Sequence, residues 1–167
     1  MSRVNRIDFF CGAFLSYLIT NKVEPTLFEA TEKSKIVQFS LRDKDYNVYL
    51  KYVSTSKQST RAGKEYTKWD ILFTELEKSI LENSFKEQDK ENLVVLVCAN
   101  ENLKDTYFAI IPFENAMKCL GSDNVNKQTR ISIKRQKGSK YVTCYGTAVS
   151  DRNAFKLKYN FDEYFSF

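Results

Sequence analysis

Leu93-Val94-Val95-Leu96-Val97-Cys98-Ala99 is the stretch on which the fold turns. An unbroken apolar run of this length, rich in β-branched valine, reads as a buried strand. Val48-Tyr49-Leu50-Lys51-Tyr52-Val53 reads as a second central strand, covered on both faces, with Lys51 as its one discordant residue. Around these two, alternation supplies the rest. Val37, Phe39 and Leu41 share a face in Ile36–Leu41 while Gln38 and Ser40 point away, and Arg42–Asn47, with Asp43 and Asp45, is turn-like. Trp69, Ile71 and Phe73 alternate as a short strand, and Thr106–Ile111 is another. Arg130–Arg135 and Lys140–Thr147 read as a hairpin joined by Gln136–Ser139, with Phe155–Tyr159 as a last strand.

Helical signals are fewer. Ile7, Phe10, Cys11, Phe14, Leu15 and Leu18 form one apolar stripe at helical spacing, ending near Asn21 with Pro25 beyond. Thr74-Glu75-Leu76-Glu77 is a capping box opening a helix through about Asn83. Pro112 starts a short helix that turns Phe113, Met117 and Leu120 inward and stops at Gly121. Ser54–Lys68 is polar and without periodicity, so it reads as a long loop, either functional or a mobile linker. The aromatic tail Phe161, Tyr164, Phe165 and Phe167 is expected to dock on the core. These elements predict one α+β domain over residues 1–167: a mixed, mainly antiparallel sheet flanked by an N-terminal helix and two short helices.

Composition sets bounds on chemistry. A chain of 167 residues with 43% apolar and 14% aromatic content argues against disorder. No apolar run approaches the roughly 20 residues that span a bilayer. Asp8, Ser16 and Tyr17 interrupt the stretch after Arg3 and Arg6, so neither a membrane partner nor a secretory leader is expected and the cytoplasm is the expected compartment. Cys11, Cys98, Cys119 and Cys144 are far apart in apolar settings, and the sequence contains no histidine. That pattern predicts free buried thiols, no metal site, and no mechanism that depends on imidazole. No glycine-rich phosphate or dinucleotide loop occurs, and no cofactor is expected.

Charge is segregated. Residues 124–160 carry nine cations, Lys127 among them, against Asp151 alone; residues 51–68 carry Lys51, Lys57, Arg61, Lys64 and Lys68 against Glu65. A one-sided basic field attracts polyanions. On the predicted hairpin, Arg130, Ser132 and Lys134 face away from Ile131 and Ile133, and Tyr141, Thr143 and Tyr145 face away from Val142 and Cys144. Cations neutralise phosphates and tyrosine rings stack on unpaired bases. The candidate DNA- or RNA-binding residues are therefore Arg130, Lys134, Arg135, Lys137, Lys140, Tyr141 and Tyr145, with Lys57, Arg61 and Lys64 from the loop. The alternative is a solvated sheet face with lysine stems lying on tyrosine rings. An acidic segment around Glu75, Glu77, Glu82, Glu87, Asp89 and Glu91 offers a second surface for a protein partner.

The order of elements over residues 5–120 (helix, strand, a turn with Asp43 and Asp45, a strand with Lys51) resembles the PD-(D/E)xK nuclease-like fold. In that family two acids hold a divalent metal and the lysine positions or activates water. The resemblance implies Asp43 or Asp45, with Lys51, as catalytic candidates and Mg²⁺ as the cofactor of an active enzyme. Tyr49 stands where the family places its second acid, so a migrated carboxylate, Glu29 or Glu32, would be needed. The departure implies a degenerate, non-cutting relative, similar to small parts of bacterial or phage conflict systems; the alternative to a nuclease-like role for Lys51 is an edge-strand lysine whose head reaches water. The expected function is a non-catalytic, nucleic-acid-associated subunit with protein partners in a larger assembly, possessing no activity of its own. The alternatives are a metal-dependent nuclease and a protein-binding inhibitor or adaptor.

Overall fold

A computed structural model describes residues 3–122, 129–159 and 161–166. Helix α1 (Arg6–Thr20) is followed by β1 (Thr26–Thr31), β2 (Ser34–Leu41), β3 (Lys44–Val53), β4 (Lys57–Arg61) and β5 (Lys64–Phe73). Then come α2 (Glu75–Ile80), continuing into a π-type turn over Leu81–Phe85, β6 (Glu91–Cys98), β7 (Tyr107–Pro112) and α3 (Phe113–Leu120). The chain finishes with β8 (Thr129–Gln136), β9 (Val142–Gly146), β10 (Phe155–Leu157) and α4 (Phe161–Phe165). The fold is a single α+β domain. Its strands divide into two five-stranded sheets rather than joining in one: β1-β2-β3-β6-β7 and β10-β9-β8-β5-β4. Among the described residues only β3 and β6 pair in parallel.

The apolar runs explain the layering. Strands β3 and β6 occupy the middle of the first sheet and need cover on both sides. Val48, Leu50, Val95 and Val97 lie under α1 and α4, against Phe10, Phe14, Leu18, Phe161 and Phe165. Tyr49, Val94, Leu96 and Cys98 face the second sheet, against Trp69, Ile71, Phe73, Ile131, Ile133, Val142 and Cys144. Helices, first sheet and second sheet thus make three layers with two cores. Leu81, Phe85, Phe113 and Leu120, from the segments around α2 and α3, join the inter-sheet core. They sit near the strand ends at Phe73 and Pro112. Among the described residues no helix is long and apolar enough to cross a membrane.

Two readings change. The expected loop Ser54–Lys68 is mostly the hairpin β4–β5, closed by Ala62 and Gly63 at φ 50° and 73°. Two successive positive φ values make a two-residue turn whose twist matches its strands. Residues 26–31 form a strand that the sequence did not announce. The tail docks through Phe161 and Phe165 as expected, while Phe167 and Lys127 lie outside the described residues.

Candidate nucleic-acid interface

The catalytic candidates are dispersed. Lys51 is only 5% exposed, on the central strand β3, so it is not an edge lysine with its head in water. Its ammonium ion-pairs with Glu77 and lies 5.0 Å from the centre of the Phe73 ring. Burial holds its pKa below the ordinary 10.5 despite the hydrogen bond to Glu77. The other Glu77 oxygen accepts from the Thr74 backbone N–H at 2.9 Å and from its hydroxyl at 3.2 Å, so one carboxylate both caps α2 and neutralises Lys51. Asp43 sits in the β2–β3 turn and Asp45 at the start of β3, both exposed. At ~3.3 Å per residue, Asp45 and Lys51 are about 20 Å apart along the strand. Glu29 pairs with Lys35 at 2.7 Å, and Lys35 also binds Asp8 of α1 at 3.0 Å, on the sheet face opposite Lys51. Glu32 is exposed in the β1–β2 turn. Among the described residues no three acidic or thiol groups gather as a metal site would require.

The basic segments, in contrast, converge. In β5 the inward positions are Trp69, Ile71 and Phe73, which fixes Lys64, Tyr66, Lys68, Asp70 and Leu72 on the outer face. Pairing with β4 sets Lys57 opposite Lys68, and pairing with β8 sets Lys68 opposite Lys134. Lys134 lies opposite Thr143 in β9, which lies opposite Lys156 in β10. One transverse row therefore runs Lys57, Lys68, Lys134, Thr143, Lys156 across all five strands, a span of roughly 19 Å at ~4.8 Å per strand. Arg61 and Lys64 face each other at the hairpin end of the same face, and Arg130 lies toward its other end. The two basic stretches, about 70 residues apart in sequence, share one uncovered surface.

Counter-charge on this face is small. Asp70 takes Lys57 at 3.4 Å and Lys68 at 3.1 Å and accepts from the Ser132 hydroxyl at 2.6 Å. Burial alone would raise the Asp70 pKa, but the bonds from Ser132 and Lys68 outweigh it and leave the carboxyl below its usual range. Asp151 takes Lys134 at 2.6 Å. Among the described residues Arg61, Lys64, Arg130 and Lys156 have no acidic partner. The Lys134 ammonium lies 5.3 Å from the Tyr66 ring and that of Lys68 5.5 Å from the Tyr145 ring. A concavity of about 260 Å³ opens on the face, lined by Tyr66, Tyr141, Lys134, Gln136, Thr143 and Lys156 among others.

The ten binding candidates fall into groups. Lys57, Arg61, Lys64, Arg130 and Lys134 lie on the outer face, and Tyr141, half exposed, borders its concavity. Tyr145 is on that face but only 8% exposed, covered by Lys68. Lys140 is exposed in the β8–β9 turn region, and Lys137 is engaged by Glu65. Arg135 faces inward, on the Ile131–Ile133 side. Sequence reasoning missed Tyr66 and Lys156 as part of the surface. The alternation that marks Trp69–Phe73 continues back through Thr67 and Glu65, and extending it would have found Tyr66. Comparison with protein-family models, curated proteins and solved structures finds no match.

Proposed function

We propose that the protein is a non-catalytic nucleic-acid-binding subunit that holds a strand of DNA or RNA across the outer face of the second sheet. The observation that carries this reading is the lysine row, which joins both basic segments on one open surface beside Tyr66 and Tyr141. The four lysines of the row, with Arg61 and Lys64 at its hairpin end, supply six cations on this face, enough for about five phosphate contacts. The concavity offers tyrosine rings on which an unpaired base can stack, worth roughly 1–3 kcal/mol per base. Hydrolysis is not part of the proposal, because Asp43, Asp45, Glu29 and Lys51 do not converge.

The test is fluorescence anisotropy with a labelled single strand of about 20 nucleotides, DNA and RNA in turn. Five phosphate contacts give a log–log salt slope near −3.5, so raising salt fourfold weakens binding roughly 100-fold. Changing Arg61, Lys64 and Lys156 together to glutamine flattens the slope by about 2. Absence of binding at low salt, or an unchanged slope in the triple variant, refutes the reading.

The association with a partner subunit rests on a separate surface. Edge strand β1 exposes Leu27 and Phe28, each more than two-fifths accessible, beside an unpaired backbone edge. Such an edge is a template for strand addition by another chain. A stoichiometric complex that survives nuclease treatment and is lost on Phe28→Lys would support this arrangement; one unaffected by that change would argue against it.

A further inference from the structure

The inter-sheet space also opens as a cavity at the end marked by Trp69, where Tyr107 begins β7 and Arg135 nears the end of β8. The cavity measures about 610 Å³, within the range of roughly 300–1,000 Å³ typical of small-molecule sites. Its lining includes Gln58, Thr60, Thr67, Asn100, Asp105 and Arg135.

Arg135 is held in an unusual way. Its guanidinium lies 4.6 Å from the Tyr107 ring centre and 5.5 Å from that of Tyr159. Tyr107 in turn meets Trp69 edge-on at 5.9 Å, and Tyr159 at 5.8 Å. Those rings are themselves anchored: the Trp69 indole N–H donates to the Ala99 carbonyl at 2.9 Å, and the Tyr159 hydroxyl donates to the Ser139 carbonyl at 3.1 Å. The guanidinium is therefore pinned by stacking, not by a carboxylate. Among the described residues no acid pairs with it, and its Nε is buried with no hydrogen-bond partner. Glu65, the nearest strand neighbour of opposite charge on the lining, is taken by Lys137. A buried donor left unpaired costs free energy, about 1–3 kcal/mol and more for a charged group. That cost at Nε is part of how the side chain is held; the terminal guanidinium nitrogens have no acidic partner among the described residues, and an oxyanion bound by them in two parallel hydrogen bonds would supply the missing counter-charge.

We propose that this cavity is a binding site for a small molecule ending in a single carboxylate or phosphate group, which Arg135 receives. The remainder of the ligand lies along the neutral hydrogen-bonding side chains Gln58, Thr60, Thr67 and Asn100. Asp105, exposed at the rim, repels a second anionic group and so selects against polyphosphates. This site is on the inner side of the second sheet and is independent of the nucleic-acid surface on its outer side.

The test reads the arginine Nε–H resonances of ¹⁵N-labelled protein, with Arg135 assigned by its loss in Arg135→Lys. Inorganic phosphate and acetate are titrated separately at constant ionic strength. A saturable shift of the Arg135 signal, absent from exposed Arg61 and Arg130, is the expected result, and the probe that saturates first identifies the anion class. No saturable shift with either probe, or equal shifts at all arginines, overturns the proposal. Should Arg135→Lys fail to fold, Asp105→Asn provides the second arm: it tightens the better probe about threefold, whereas unchanged affinity places the anion elsewhere and overturns the proposal. Lys118→Glu, at an exposed position of α3 away from the cavity lining, leaves the probe affinity unchanged if the site is the cavity, and an equal loss there overturns the proposal.

Discussion

Removing either partner of the Lys51–Glu77 pair destabilises the protein far more than removing both. Lys51 is 5% and Glu77 2% exposed, so each single change strands a charge in the inter-sheet core. Breaking a buried pair from one side typically costs about 3–5 kcal/mol. Lys51→Met lies toward the lower end, because the surviving carboxylate keeps its bonds from the Thr74 N–H and hydroxyl. Glu77→Gln preserves the capping acceptor but leaves the ammonium over Phe73 without a counter-charge, so it lies toward the upper end. Independent effects would sum to roughly 6 kcal/mol or more in the double variant. The buried-pair reading expects the double variant to cost less than either single one, since a methionine and a neutral amide leave no stranded charge. Urea denaturation of the four proteins measures the cycle. Additivity within about 0.5 kcal/mol would refute the reasoning. The pH dependence supplies a second check. Burial holds the folded pKa of Lys51 below 10.5, and losing Glu77 lowers it further. Between the lowered folded value and 10.5 the unfolded chain binds more protons than the folded one, so stability rises with pH across that window. The Glu77→Gln deficit therefore shrinks as pH approaches 10.5, and a pH-independent deficit would count against a stranded ammonium.

Three further outcomes follow from particular contacts. A Cβ at position 146 would fall 2.5 Å from the Arg130 carbonyl oxygen and 2.7 Å from that of Cys119, so Gly146→Ala loses about 1–3 kcal/mol in the same urea assay. Lys35 hydrogen-bonds Asp8 and holds its carboxyl below the ordinary 3.8; that stability is present above 3.8 and fades as pH falls through the lowered value, so Asp8→Asn flattens the acid limb of an unfolding-versus-pH curve. All four thiols are buried, with Cys11 pushed up to about 11 by desolvation, so a thiol reagent at pH 8 titrates the protein only after denaturant is added.

The parts of the fold legible in the sequence are those fixed by local pattern. The α1 stripe, the Thr74–Glu77 box, Pro112 and Gly121 around α3, and the apolar strands β3 and β6 all depend on neighbours within a few positions. The β4–β5 hairpin was hidden for two reasons. Ala62 occupies a left-handed position where asparagine or aspartate is the usual marker, and the strand ends carry polar residues on both faces, erasing the hydrophobic alternation. Division into two sheets was beyond a local reading, because a run apolar on both faces needs cover but does not say whether a helix or another sheet provides it. The same limit applies to side chains. Alternation puts Lys51 and Arg135 on inward faces, yet their partners Glu77, Tyr107 and Tyr159 come from distant segments.

Register ties the core to the proposed interface. Strands β5 and β8 pair so that Trp69 meets Ile133 and Ile71 meets Ile131 in the core. Side chains alternate with period two, so that pairing necessarily sets Lys68 beside Lys134 on the outside. A slip of one residue would expose Trp69 and drive the lysines inward, so the inner face enforces the outer one. Like charges directly opposite across strands are destabilising, and Lys57–Lys68–Lys134 places three in succession with Asp70 and Asp151 as the acids that engage them. The free protein therefore carries repulsion between like charges, which a polyanion held on this face, as proposed, would relieve. Arg61 and Lys64 are a further like-charged pair directly opposite each other, so the Arg61, Lys64 and Lys156 glutamine variant should be the more stable protein alone, and a nucleic-acid strand, which should raise the unfolding temperature in proportion to its binding, should stabilise it less.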